Sequence, residues 1–167
     1  AGLEIAKQTS SLGVEKGDVL VCCGGGGLTS GIALALEADA PGLCVRPVEP
    51  EGFDDVTRSL FSGKIEKNIK TTGNICDAII TPQPGNLTFP VMQRLCGSGL
   101  IVDENEALES MAIAFLRLKL VAEPGGAVAL AAAIFRKGEI EGNDVVVVIS
   151  GGNVDPDLFA KSLNTLV

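Results

Sequence analysis

Histidine is absent from this 167-residue chain. Its absence removes histidine acid–base chemistry and histidine metal ligation from the functions open to it. No apolar run reaches the roughly 20 residues that a bilayer-spanning helix needs. No basic stretch followed by an apolar core opens the chain as a secretory leader would. There is no basic patch and the net charge is −8, so nucleic acid is not expected as a partner. The five cysteines, Cys22, Cys23, Cys44, Cys76 and Cys96, are odd in number and lack metal-type spacing. Cys22 and Cys23 end an apolar run and, with no histidine to activate them, read as core rather than as nucleophiles. This usage fits a reducing cytoplasm better than a disulfide framework. A leading methionine is also absent. Ala1 enters directly into a helical pattern, which predicts a segment of something longer.

What is present is apolar. Hydrophobic residues make up 46% of the chain and mean hydropathy is +0.36, which excludes intrinsic disorder. The length suits one domain with a real core. Asp18–Cys23 is a continuous apolar run of strand length, flanked by turn signals, and predicts a buried strand. Leu43–Val48 predicts a second strand, with Pro47 as a missing ladder donor. Gly99–Val102 predicts a short strand and the β-branched run Asp144–Ile149 a strong one. Helices are predicted over residues 3–12, 28–38, 53–61, 88–96, 104–121 and 127–136, with a last one from Asp155. Asp103-Glu-Asn-Glu106 has the form of a capping box. Pro124-Gly-Gly126 reads as an interruption between two helices, and Lys64–Thr81 as irregular. Strands alternating with helices imply an α/β fold with an open, mostly parallel sheet flanked by helices.

In such sheets ligands bind beyond the carboxyl ends of the strands. Two glycine loops fall there. Cys23 is followed by Gly24-Gly-Gly-Gly-Leu28 and then by a helix, an arrangement that points backbone N–H groups at a phosphate. The other reading is a tight turn without a ligand. A dinucleotide is the chemical alternative: the pattern Gly25-x-Gly27 meets Ser30 where the last glycine should stand, while Glu49 could take a ribose. The second loop, Ser150-Gly-Gly-Asn-Val-Asp155, offers a hydroxyl at a strand end, or merely a helix cap. Glu49-Pro-Glu-Gly-Phe-Asp-Asp55 holds four carboxylates in seven residues. They could bind a hard cation, but from spacing alone a solvated helix start outweighs that reading. Glu123-Pro-Gly-Gly126 either places Glu123 in the cleft or simply ends a helix.

Taken together, these motifs resemble the pyridoxal-phosphate enzymes of the tryptophan-synthase-β fold, nearest to their serine/threonine dehydratase and serine racemase branch. Gly24–Leu28, Glu-Pro-Gly-Gly-Ala at Glu123–Ala127 and Ser-Gly-Gly-Asn-Val-Asp at Ser150–Asp155 carry the resemblance, with Val48-Glu-Pro50 as a weaker fourth. Their order and spacing cover almost the whole chain. The resemblance implies that Gly24, Gly25, Gly26, Gly27 and Leu28 hold the cofactor phosphate by main chain. It implies that Ser150 meets the pyridine nitrogen and that Glu123 lies close to the cofactor. It further implies a Mg²⁺ or Ca²⁺ site made by Glu49, the Phe53 carbonyl and Asp55, which reverses the balance for the acidic cluster.

The implied activity is β-elimination from L-threonine or L-serine to a 2-oxo acid and ammonia. Racemisation of serine and dehydration of 3-hydroxyaspartate are the alternatives within the family, and a non-catalytic phosphate- or dinucleotide-binding module is the alternative outside it. One departure bears on activity. The family's Schiff-base lysine stands in a Ser-x-Lys-x-Arg-Gly-like motif, and none of the eight lysines here has that context. Residues 1–167 are therefore expected to be most of the large cofactor-binding domain, inactive alone, with that lysine in a preceding part. A sheet lacking strands would have an open edge, predicting self-association. The resemblance also implies a homo-oligomer acting on a small amino acid.

Overall fold

The computed structural model describes residues 1–166. Four strands, β1 (Gly17–Cys22), β2 (Leu43–Pro50), β3 (Leu100–Val102) and β4 (Val145–Val148), form one sheet in the order β3-β2-β1-β4. All three pairings are parallel. The two inner strands are buried on both faces, which is why β1 reads as an unbroken apolar run rather than an alternating one. Val19 and Val21 pack with Val45, Ile32 and Leu36 on one face. Leu20 and Cys22 pack with Val48, Val128, Ala129 and Ala132 on the other. The first face is covered by α1 (Gly2–Ser11) and α2 (Gly27–Asp39), the second by α5 (Glu104–Ile113) and α6 (Pro124–Phe135). Helices α3 (Asp55–Ser62), α4 (Phe89–Leu95) and α7 (Pro156–Leu163) complete the set. The expected α/β architecture is what the chain forms.

Three local expectations are corrected. Pro47 lies inside an inner strand without breaking it. The Val45 carbonyl accepts from Gly97 N at 2.9 Å on the outer side of β2. Backbone groups alternate along a strand, so the Pro47 nitrogen faces that same side. There β3 begins only at Leu100, opposite Val48, so no ladder bond is lost. The helix expected to run to Val121 stops sooner: α5 widens into a π-helical turn at Ala114–Leu118, and Lys119 then adopts φ 62. Pro124 does not interrupt anything. It is the first residue of α6, where its missing N–H is no loss.

The capping box forms as expected. Asp103 Oδ1 accepts from Glu106 N at 2.8 Å, and Glu106 Oε2 accepts from Asp103 N at 2.9 Å. Lys64–Thr81 contains no helix or strand.

The amino ends of β1 and β2 are tied by a buried ion pair. Arg46, 5% exposed, donates to Asp18, 3% exposed, at 3.3 Å, and Arg46 Nε donates to the Ser98 carbonyl at 2.9 Å. Asp18 also accepts from Glu141 N at 3.0 Å, which fastens the chain leading into β4. Removing one partner would strand a buried charge. The substitution Arg46→Ala is therefore expected to lower the unfolding free energy by about 3–5 kcal/mol. Urea titration followed by circular dichroism measures it, and a loss under about 1 kcal/mol, the worth of a surface pair, would contradict this account.

Candidate functional site

β1 and β4 are neighbours in parallel register, with Val21 opposite Val148, so their following loops emerge side by side. After β1 comes the glycine loop. Gly26 takes φ 85, a conformation that favours glycine, and a Cβ there would meet Met92 Sδ at 2.7 Å. Gly25 and Gly27 face open space. The first backbone bond at the start of α2 runs from Ser30 N to the Gly26 carbonyl, at 2.9 Å. No side chain caps this helix. The N–H groups of Gly27, Leu28 and Thr29 are thus free at the positive end of a helix dipole. Those donors, beside a loop open to approach, fit an anionic phosphate.

After β4 comes Ser150, whose side chain is exposed and whose N–H donates to the Gly126 carbonyl at 3.3 Å. The same carbonyl lies 3.3 Å from the Cys22 thiol, so α6, β1 and β4 meet at one point. Gly126 and Gly151 approach backbone to backbone, since a Cβ on Gly126 would sit 2.7 Å from Gly151 N. Glu123 N donates to the Gly151 carbonyl at 3.0 Å, and the Glu123 side chain lies over Gly151, half-buried. Gly24–Leu28, Ser150 and Glu123 are therefore gathered at the carboxyl edge of the sheet. The thiols do not join them in chemistry: burial pushes Cys23 above the usual range and Cys76 up to about 12. All eight lysines are exposed and none lies on these loops.

The acidic cluster sits at the end of β2. A turn closes from Phe53 N to the Pro50 carbonyl at 3.0 Å, with Gly52 at φ 79, and brings Asp55 back beside Glu49. Glu49 is fully buried. It accepts from Val56 N at 2.8 Å, Thr57 N at 2.6 Å and the Thr57 hydroxyl at 2.7 Å. Val56 N and Thr57 N belong to the first turn of α3, whose N–H groups have no partner within the helix. Glu49 satisfies both of these donors from outside the helix. Asp55 accepts from Asn68 at 2.6 Å through Oδ1, while its buried Oδ2 has no partner among the described residues. Two buried carboxylates, one of them with an unpaired oxygen, thus stand at the start of α3. Such a donor set suits a hard divalent cation. Among the described residues no group of three or more Cys, Asp and Glu side chains is placed to hold a metal ion.

Thr57 and Asn68 were not anticipated. Thr57 acts only because the Pro50–Phe53 turn carries α3 against Glu49. Asn68 belongs to the irregular segment, where no local pattern marks it.

The sequence model described as pyridoxal-phosphate dependent enzyme matches residues 1–151. The chain belongs to that family. It is similar to serine racemase from Dictyostelium discoideum, 36% identical over 167 residues that cover 98% of this chain and 50% of that protein. It is similar to L-threo-3-hydroxyaspartate ammonia-lyase from Pseudomonas sp, 39% identical over 87% of this chain and 45% of that one. Among solved structures, threonine deaminase from T.th. superposes with a TM-score of 0.87 at 38% identity, covering 92% of this chain and 52% of its own. The chain spans about half the length of these relatives. Pyridoxal phosphate is the family's cofactor. No described helix is long and apolar enough to cross a membrane.

The acidic site predicts a pH dependence. Burial pushes Glu49 up to about 8, against the three hydrogen bonds that it accepts, and pushes Asp55 up to about 6. Both sit above their ordinary values near 4.5 and 3.8. A raised carboxyl binds its proton more tightly in the folded chain than in the unfolded one. Its contribution is full below the ordinary value and is lost as pH rises through the folded one. Without added cation, stability is expected to fall as pH rises from about 4 to 8, and Glu49→Gln to flatten the upper part of that fall. Melting temperatures across this range measure both, and a wild-type curve rising to pH 8 would refute the assignment.

Proposed function

We propose that residues 1–167 are most of the large cofactor-binding domain of a pyridoxal-phosphate-dependent L-threonine/L-serine ammonia-lyase. The observation that carries this reading is the pairing of the uncapped Gly24–Leu28 loop with Ser150 on neighbouring parallel strands. In this reading the N–H groups of Gly24–Leu28 hold the cofactor phosphate. The Ser150 hydroxyl meets the pyridine nitrogen, and Glu123 stands beside the ring. Bound pyridoxal phosphate supplies the electron sink for charge developing at the substrate α-carbon. A neutral serine at the pyridine nitrogen does not hold a proton there as a carboxylate would, which moderates that sink and suits departure of a β-hydroxyl. The Schiff-base lysine, the proton acceptor at the α-carbon, is supplied by residues outside this sequence. The products are a 2-oxo acid and ammonia.

The protein carrying this chain is expected to release 2-oxobutanoate from L-threonine or pyruvate from L-serine when loaded with pyridoxal phosphate. Release of neither overturns the proposal. Serine racemase and 3-hydroxyaspartate ammonia-lyase among its relatives support a second reading within the family, in which D-serine or oxaloacetate is the product. Phosphate-ligand binding without any of these products would leave a non-catalytic module. The five unpaired thiols support a reducing cytoplasmic setting. The open β4 edge, with Val145 exposed, supports assembly into a homo-oligomer.

The second part of the proposal is a Mg²⁺ or Ca²⁺ site made by Glu49, the Phe53 carbonyl and Asp55. A cation there would neutralise both carboxylates and occupy Asp55 Oδ2. Saturating either cation to 100 times its Kd is expected to stabilise the chain by about 2.7 kcal/mol, seen as a raised melting temperature. Asp55→Asn is expected to abolish the rise, and an equal rise in that variant would remove the site.

A further inference from the structure

The glycine loop does not hold its shape alone. Residues 84–92 form a strap behind it. Gly85 N donates to the Gly25 carbonyl at 3.1 Å, and the Thr88 hydroxyl donates to the same oxygen. One carbonyl therefore takes two donors, both from the side away from the open face. Thr88 also starts α4, and its carbonyl accepts from Met92 N at 3.0 Å. Met92 is fully buried, packed with Cys23 and Val56, and its thioether lies where a Gly26 side chain would be. Gly85 is pressed into this arrangement as well: a Cβ there would fall 2.8 Å from the Thr88 hydroxyl and 3.1 Å from the Gly25 carbonyl.

Peptide planes explain the consequence. The carbonyl of Gly25 and the N–H of Gly26 share one rigid plane and point in opposite directions. Fixing the carbonyl toward Thr88 aims the Gly26 N–H away from the strap, toward the open face. The left-handed turn at Gly26 then leads directly into the free N–H groups of Gly27, Leu28 and Thr29. We infer that Thr88, through its hydroxyl bond to the Gly25 carbonyl, is the positioning residue that sets the orientation of the phosphate-binding loop. The residue is 63 positions from its partner. This inference rests on reading Gly24–Leu28 as a phosphate site and adds to that reading the part that shapes it.

The test uses the full chain with Thr88→Val, which keeps the size and loses the donor, and Thr88→Ser, which keeps the donor and loses the methyl. The probes are inorganic phosphate and pyridoxal 5′-phosphate, titrated by calorimetry, with circular dichroism confirming that each variant is folded. Thr88→Val is expected to weaken both by about tenfold, the scale of one lost hydrogen bond. Thr88→Ser is expected to stay within about twofold of wild type, a spread smaller than one such bond. A merely structural role would lower the melting temperature of Thr88→Val and leave the affinities of the folded protein unchanged, which overturns the inference. Equal weakening in both variants also overturns it, because keeping the hydroxyl in Thr88→Ser would then not preserve the affinity. If wild type binds neither probe, the reading of the loop fails and this inference fails with it. If wild type binds and Thr88→Val binds equally well, only the inference fails.

Discussion

The site depends on one close contact, the meeting of Gly126 and Gly151 backbone to backbone. Main chain can approach main chain this closely here only because Gly126 carries no Cβ. The contact fixes the start of α6 against the loop after β4, and the Gly126 carbonyl reaches both Ser150 N and the Cys22 thiol. A larger residue at Gly126 would push α6 off the sheet. Glu123, which precedes α6 directly, would move with it, and Ser150 would lose its place beside the glycine loop of β1. The alanine-rich face of α6 repeats the same logic along its length, with Ala127, Ala129, Ala131 and Ala132 all fully buried.

The two ends of the sheet are built by opposite means. At the amino ends, charged side chains do the fastening, with Arg46 and Asp18 satisfied by Ser98 and Glu141. At the carboxyl ends, backbone and glycine predominate, and the one buried acidic pair described there is left incomplete at Asp55 Oδ2. A fully satisfied ion pair serves rigidity. A buried carboxylate oxygen without a partner instead favours the protonated form. Glu49 takes up the Val56 and Thr57 N–H groups that the first turn of α3 leaves without a partner.

Much of this is legible in the residues. An apolar run followed by four glycines and a helical pattern has few other forms than strand, loop and helix, and the parallel sheet follows from the alternation. Asp103 and Glu106 announce their capping box locally. What is not legible acts across distance or through backbone geometry. The early end of α5 comes from a π-helical turn, which the mostly apolar residues of Ala114–Val121 conceal. Pro47 is tolerated because of where β3 begins, a fact of pairing rather than of local sequence. Asn68 and Thr88 reach their partners across 13 and 63 positions, and neither carries a motif.

A loop whose donors are main-chain N–H groups has a particular relation to variation. The side chains that face its open side contribute little to what it can hold, so they are free to drift. The positions that cannot drift lie behind it: the glycines that make room and the strap that fixes one carbonyl. Among distant relatives of such a chain, a ligand contact would be kept while the residues around it change. Its loss would trace to a substitution that touches no ligand at all.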